Sequence, residues 1–298
     1  MLTKKISIII VSWNVLDYLK KCIHSIFELY KNDNIEIIII DNASSDSTSD
    51  WLNSNFPPLA KGRVGGVKII LNKQNTGFAH ANNQGIVIAQ GDYILLLNPD
   101  TILHKGVLEN MIDFFEKHND CGVAGCKIVN PDTTIQPSVR RFPALISQIF
   151  ILLKLHHFFP NISFLSKYFA KDFDYTKTQI AEQVEGAFFM IPRKVVEKIG
   201  LLDEKFYIWF EEVDFCKRIS DANMKVYYVA TAVITHYGGM SFKQKFSLEK
   251  QKIFNASLIY YFQKHGRRFD VFILKILNPI SLFLAWVTDK FKTPTSQT

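Results

Sequence analysis

Cysteine is scarce in this chain and unpatterned: four residues among 298, at Cys22, Cys121, Cys126 and Cys216, with no CxxC pair and no histidine at zinc-ligand spacing. That argues against a disulfide-stapled scaffold and a zinc ribbon, and fits a reducing, cytoplasmic setting. Neither GxGxxG nor GxxxxGK followed by Ser or Thr occurs, which removes the dinucleotide fingerprint and the P-loop. Residues 1–5 run straight into an apolar strand, without the charged, apolar and small-residue regions of a secretory leader. No uninterrupted apolar run of spanning length is present, since residues 269–287 are broken by Asp270, Lys275, Asn278 and Pro279. No basic stripe is interleaved with aromatics, so nucleic-acid binding has only the pI of about 9.0 behind it. Internal repeats and low-complexity tracts are absent too.

What is present is core material. Hydrophobic residues make up 48% and charged residues 21%, the balance of a folded globular chain. The length suits one large domain, or one domain with a small appendage. A formal charge of +7 favours anionic partners such as nucleotide diphosphates or anionic lipid.

The first hundred residues alternate strand and helix. Residues 6–11, 35–40, 67–71 and 93–97 are short, uniformly apolar runs, mostly β-branched or leucine-rich, as strands buried on both faces require. Residues 17–30 predict an amphipathic helix, with Leu16, Leu19, Ile23, Ile26 and Phe27 on one face. This βαβαβαβ order predicts an α/β fold with a doubly wound, mostly parallel sheet. Ligands bind such sheets at the carboxyl ends of the strands, and all four runs deliver polar residues there. Beyond Asp100 the pattern predicts a helix over 103–117 and strands over 122–129, 185–192 and 226–235. The apolar stretch 143–169 carries scattered Lys and His, and 269–287 predicts two short amphipathic helices that lie on a membrane or pack as core.

Several residues carry candidate chemistry. Asp100 closes the fourth strand in Asn98-Pro99-Asp100; a carboxylate there suits Mg²⁺ or Mn²⁺ bridged to phosphates, while Asn-Pro-Asp is also good turn chemistry. Asp41 ends the second strand, placed to accept from a ribose or a base, with residues 42–49 equally readable as a helix cap. Asn75-Thr76-Gly77 adds amides and a glycine turn. Glu211, Glu212 and Asp214 put three carboxylates in four residues, either a general base with a raised pKa or an acidic helix start paired with Lys217 and Arg218. His236 precedes two glycines as a metal ligand or a structural histidine, and Arg140-Arg141 reads as a phosphate clamp or a solvated loop.

In this order, Ser7–Asn14, Asp41–Asp46, Asn75–Ala79, Leu96–Asp100, Gln136–Pro143, Glu185–Ala187, Phe210–Asp214 and His236–Gly239 resemble the family-2 glycosyltransferases of the GT-A fold. The likeness is to the bacterial rhamnosyltransferase-like branch, which builds O-antigen, capsule or cell-wall polysaccharide. The resemblance implies that Val11 and Trp13 hold the nucleotide through backbone groups and that Asp41 and Asn75 read its base. It places Asp100 at the end of the family's metal-binding Asp-x-Asp, with Asn98 in place of the first Asp, and makes His236 a late metal contact. Glu212 falls at the position of the catalytic base, usually Asp, with Glu211 as the neighbouring alternative; Gly186 and Ala187 line the acceptor pocket.

The implied reaction is one in-line displacement with inversion, from a nucleotide-diphosphate sugar to an acceptor hydroxyl. Deoxythymidine-diphosphate rhamnose is the leading donor, and uridine-diphosphate sugars follow. The expected acceptor is a glycan or a polyprenyl-diphosphate-linked sugar at the cytoplasmic face of the inner membrane, where the chain would sit peripherally. The implied division is a GT-A domain over 1–240, split near 102 into nucleotide-sugar and acceptor halves, and a helical region over 241–298. A catalytically degenerate sugar-nucleotide-binding scaffold is the rival of another class; a nucleotidyltransferase lacks its Gly-rich, basic opening loop.

Overall fold

The computed structural model describes residues 4–30, 34–56, 66–240 and 247–291. Met1–Thr3, part of the segment read for a leader, and residues 241–246, at the expected domain boundary, lie outside the described residues.

Four parallel strands form the first half: β1 (Ile6–Ser12), β2 (Ile35–Asp41), β3 (Val67–Leu71) and β4 (Tyr93–Leu97). β1 and β2 are buried along their whole length, which explains their unbroken Ile/Val runs. Helices α1 (Leu16–Leu29), α2 (Thr48–Asn55) and α3 (Phe78–Ile88) are the crossovers. The spatial order is β3-β2-β1-β4, so the chain reverses direction across the sheet between β1 and β4. Such a switch point opens a crevice at the carboxyl ends of the strands.

The second half is mixed. β5 (Thr101–Leu103), α4 (Val107–Lys117), β6 (Cys121–Val129), β7 (Val139–Arg140), α5 (Leu145–Leu152) and α6 (Ser163–Tyr168) come first. Then follow β8 (Gln179–Ala181), β9 (Gln183–Val184), β10 (Phe188–Pro192), α7 (Arg193–Ile199), α8 (Glu211–Asp221) and β11 (Lys225–His236). β10 inserts antiparallel between β4 and β6, whereas β6 and β11 run parallel to the first four strands. β5 and β8 pair antiparallel with β11. The large sheet is thus mostly parallel.

Three expectations shift. The helix expected from residue 103 begins at Val107, because Gly106 takes a left-handed φ of 81° and residues 101–103 are claimed by β11. The strand expected from 185 starts at Phe188, leaving residues 185–187 in a loop. The apolar stretch 269–287 is one helix, Arg268–Phe291, with Pro279 inside it, rather than two. Packing explains the continuity: Leu274, Ser281 and Ala285, on both sides of the proline, are buried, and Asn278 accepts from Asn255 Nδ2 at 2.8 Å. By length and composition this helix could cross a membrane, with a mean hydropathy of 1.8 over an 18-residue window within Arg268–Lys290.

The helix Ser247–His265 packs beside it and buries Leu258, Tyr261 and Phe262 against Phe206, Phe210 and Val213. A small third core therefore ties the C-terminal helices to the loop before α8. All four cysteines are buried thiols.

Candidate functional site

At the carboxyl ends of β1 and β4 a cavity is lined by Val11, Trp13, Asn75, Gly77, Asn98 and Asp100, six of the residues expected there. Asp41 lies beside it, nearly fully buried, with its carboxylate accepting from Ser44 Oγ at 2.5 Å and Ser44 N–H at 3.3 Å. Burial raises its pKa against the pull of those bonds. Asp46 accepts from the Thr48 N–H at 3.0 Å, so the same segment also caps α2.

Asn42, expected only as part of a capping run over 42–49, is the hub of this edge. Its Nδ2 donates to Asn75 Oδ1 at 3.0 Å and to the Gly77 carbonyl at 3.2 Å. Its Oδ1 accepts from Asn72 Nδ2 at 3.0 Å and from the Thr76 N–H at 3.1 Å. Tyr207, 132 positions from Asn75, donates its hydroxyl to Asn75 Oδ1 at 2.8 Å. A satisfied buried network of this kind holds a wall rigid.

Gly77 is required by position: its φ is +87° and a Cβ would stand 2.5 Å from the Tyr207 carbonyl oxygen. The left-handed conformation alone costs an alanine about 1–2 kcal/mol. Gly77→Ala is therefore expected to lower Tm by about 2–4 °C for each kcal/mol lost and to weaken nucleotide binding, both readable by thermal unfolding. An unchanged Tm would show that Tyr207 yields freely.

Asp100 and His236 meet at the next step of the edge. His236, at the end of β11, brings Nε2 to 3.3 Å from Asp100 Oδ1, and both side chains are buried. His236 Nδ1 faces Gln136 Oε1 at 2.8 Å, the partner of an Nδ1–H donor, so Nε2 presents its lone pair or a proton to the carboxylate. Burial pushes the Asp100 pKa up, but the bond and charge of His236 outweigh it and hold it below the usual range.

Among the described residues no cluster of three or more His, Cys, Asp or Glu would enclose a metal alone. One carboxylate with an imidazole nitrogen turned toward it nevertheless suits Mg²⁺ or Mn²⁺, which fill their shells with phosphate oxygens and water.

A second cavity adjoins, separated by the segment 207–210 whose first two residues line one side and last two the other. Its walls include Arg140, Tyr168, Glu185, Trp209, Phe210 and Glu212. Trp209 and Phe210 have φ of 63° and 69°, two consecutive left-handed aromatic residues, each costing about 1–3 kcal/mol. Phe254 packs edge-on to Trp209 and tilted against Phe210, with centroids at 6.1 and 5.5 Å, and holds the turn from the C-terminal helices. The turn aims the first residues of α8.

Glu212 faces the cavity with Oε2 buried and unpartnered. Its pKa is raised to about 7, first by burial and then by the charge of Glu185, against the pull of nearby backbone N–H groups and Arg140. Glu211 is wholly buried, lines neither cavity, and is pushed well above the carboxylate range by burial and by Glu212. Asp214 is structural in its contacts: Arg218 Nε at 2.8 Å, Lys264 Nζ at 2.7 Å and His265 Nε2 at 2.7 Å.

Gly186 lies against Glu212, 3.9 Å from where its own Cβ would be, and the Ala187 carbonyl accepts the Asn98 N–H at 3.0 Å. Neither residue is among those lining the two cavities, so the expected place in an acceptor pocket wall is not seen. Arg140 lines the second cavity and sits 5.3 Å over the Phe169 ring. Arg141 turns away, with Nη2 2.6 Å from Asp172 Oδ2 and a looser contact to Glu182. Glu185 was part of a motif without an assigned role; it lines the second cavity, 3.9 Å from His236 Nδ1.

The Glycosyl transferase family 2 model matches residues 7–200. The chain is 24% identical over 216 residues to the N-acetylglucosaminyl-diphospho-decaprenol L-rhamnosyltransferase of Mycobacterium tuberculosis, covering 68% of this chain and 66% of that protein. The chain thus spans just under two thirds of that relative's length. It is 25% identical over 238 residues to the rhamnosyltransferase WbbL of Escherichia coli K12, covering 77% of this chain and 82% of that one. Its fold matches the mannosyltransferase PcManGT of Pyrobaculum calidifontis in complex with GDP-Man and Mn²⁺, with a TM-score of 0.58 and 14% identity over 100% of this chain and 77% of that chain. It matches GalNAc-T7 with UDP, GalNAc and Mn²⁺ at a TM-score of 0.56 and 16% identity, over 78% and 43% of the two chains. The chain belongs to glycosyl transferase family 2, folds as a GT-A enzyme, and is similar to rhamnosyltransferases.

Proposed function

We propose that this protein is an inverting, metal-dependent glycosyltransferase that passes a sugar, rhamnose from deoxythymidine-diphosphate rhamnose before a uridine-diphosphate sugar, to a hydroxyl of a lipid-linked or polysaccharide acceptor. The observation that carries it is Glu212: a buried carboxyl with Oε2 unpartnered, its pKa raised to about 7, on the wall of a cavity that adjoins the Asp100–His236 edge.

The nucleoside lies along Val11, Trp13, Asp41 and Asn75, which orient it through backbone and amide groups. Asp100 and His236 would hold Mg²⁺ or Mn²⁺. Bound there, the cation supplies charge neutralisation for the departing diphosphate. Glu212 takes the proton of the acceptor hydroxyl, and that oxygen bonds to the anomeric carbon from the face opposite the diphosphate. The bond from the anomeric carbon to the diphosphate oxygen breaks, and its electron pair leaves with the diphosphate. One displacement inverts the configuration. Arg140 offers a second cationic group beside Glu212 and steadies its charged form.

The pH profile tests this reading. A base must be deprotonated to act, so nucleotide-diphosphate release from sugar nucleotides should fall about tenfold per pH unit below about 7 and level off above it. A flat profile from pH 5.5 to 8.5 would remove Glu212 from the base role.

The relatives' names and the exposed apolar side chains of helix Arg268–Phe291, among them Phe272, Ile276 and Phe283, support a peripheral position on the cytoplasmic face of the membrane. Recovery of the whole chain in a low-salt soluble fraction, with no flotation on anionic vesicles, would count against it.

A further inference from the structure

A third cavity, of ≈ 370 Å³, opens on the far side of Trp209 and Phe254, which line it and the Glu212 cavity alike. Its other walls come from the stretch after α5 and from the two C-terminal helices, and include Lys154, His156, His157 and Lys250. Among the described residues no carboxylate lines it. The near acid on the last helix, Asp289, accepts the Leu248 N–H at 2.8 Å.

Lys154 is half-buried and sits in a left-handed backbone conformation, φ 59°, where a non-glycine residue is strained. Its ammonium donates to Gln251 Oε1, a neutral partner. The His156 and His157 ring centroids lie 4.0 Å apart, the planes tilted by 38°. Burial lowers the pKa of Lys154, and burial, His157 and Lys154 together lower that of His156. Basic groups that oppose one another's charge, with no acid among them, are relieved by an incoming anion.

The position gives that anion a place in a longer molecule. Glu212 stands at one end, the shared aromatic wall follows, then the basic cavity. Ala285 and Thr288 of the last helix close the cavity, and that helix exposes Phe269, Phe272, Ile276, Ile280 and Phe283 at helical spacing. The basic cavity therefore lies between the Glu212 cavity, through Trp209 and Phe254, and a helix whose opposite face is exposed and apolar.

We propose that this third cavity binds the diphosphate of a prenyl-diphosphate-linked acceptor, with Lys154 as its principal cation. This rests on the transferase reading above and adds a subsite to it.

Farnesyl diphosphate is the probe, titrated against the whole chain in EDTA so that no metal-held diphosphate forms at Asp100. The readout is quenching of Trp209, confirmed by its loss in Trp209→Phe. Lys154→Gln is expected to weaken binding about tenfold or more, and Lys154→Arg to restore it to within about threefold. Farnesol, without the anion, should not saturate, and inorganic pyrophosphate should compete weakly through the same lysine. Unchanged affinity in Lys154→Gln, or equal binding of farnesol, overturns the proposal. So does loss of binding to phosphatidylglycerol vesicles in Lys154→Gln with farnesyl diphosphate unaffected, since the cavity would then serve a bilayer headgroup. The transferase reading stands or falls separately, on nucleotide-diphosphate release by wild type and Glu212→Gln.

Discussion

Replacing Glu212 by Gln is expected to cut turnover by about 10²–10⁴-fold while leaving donor binding intact, and at the same time to make the protein more stable at pH 8. The two effects share one cause. Glu212 sits where its charged form is poorly solvated, and burial displaces its pKa from the ordinary 4.5 to about 7. A carboxyl whose folded pKa is raised contributes stability that is fully present below about 4.5 and lost as pH climbs through 7. The displacement is worth up to about 3 kcal/mol, and the amide carries no such charge. Thermal unfolding at pH 5 and pH 8 should show the gain in Tm only at the higher pH. Steady-state kinetics on the same samples should show kcat collapsing with the donor KM little changed. Retained turnover would move the base to Glu185 or Glu211, the other carboxylates beside it.

The second large effect is expected at Asp100. Its carboxylate is buried, 3.3 Å from His236 Nε2, and placed at the end of the strand that forms one side of the switch-point crevice. Asp100→Asn keeps the shape and the Met240 N–H acceptor but removes the negative charge a divalent cation needs. In wild type, a nucleotide diphosphate with Mn²⁺ at about 100 times its dissociation constant should add about 2.7 kcal/mol, several degrees in Tm. The variant should lose the Mn²⁺-dependent part of that shift and about 10²–10³-fold in turnover. Equal shifts with and without metal in both proteins would make the pair a structural ion pair and the enzyme metal-independent.

How far the sequence led can be judged residue by residue. β1 to β4 were legible because runs such as Ile8-Ile9-Ile10 and Leu95-Leu96-Leu97 are buried on both faces, and only a sheet covered by helices tolerates that. Asp41 and Asp100 followed directly, since strand ends point to one edge, while Val11 and Asn98 came with the family resemblance. Contacts between distant segments were not legible. Tyr207 reaches Asn75 across 132 positions, and Arg141 is drawn off the site by Asp172 and Glu182, 31 and 41 residues later. Nothing local marks either. The left-handed Trp209-Phe210 turn was hidden for another reason: large aromatics disfavour that conformation, and only the third core, built with Phe254 and Tyr261, holds it. The same core keeps Arg268–Phe291 continuous through Pro279, where the local signal alone predicts a break.

The most direct test of the site is anomalous diffraction from crystals of the whole chain grown with a nucleoside diphosphate and Mn²⁺. A manganese peak bound by Asp100 and His236 at about 2.0–2.3 Å, with the diphosphate on it and the base beside Asp41 and Asn75, is the expected result. A nucleotide seated away from the β1–β4 crevice, or a metal that touches neither residue, would contradict it.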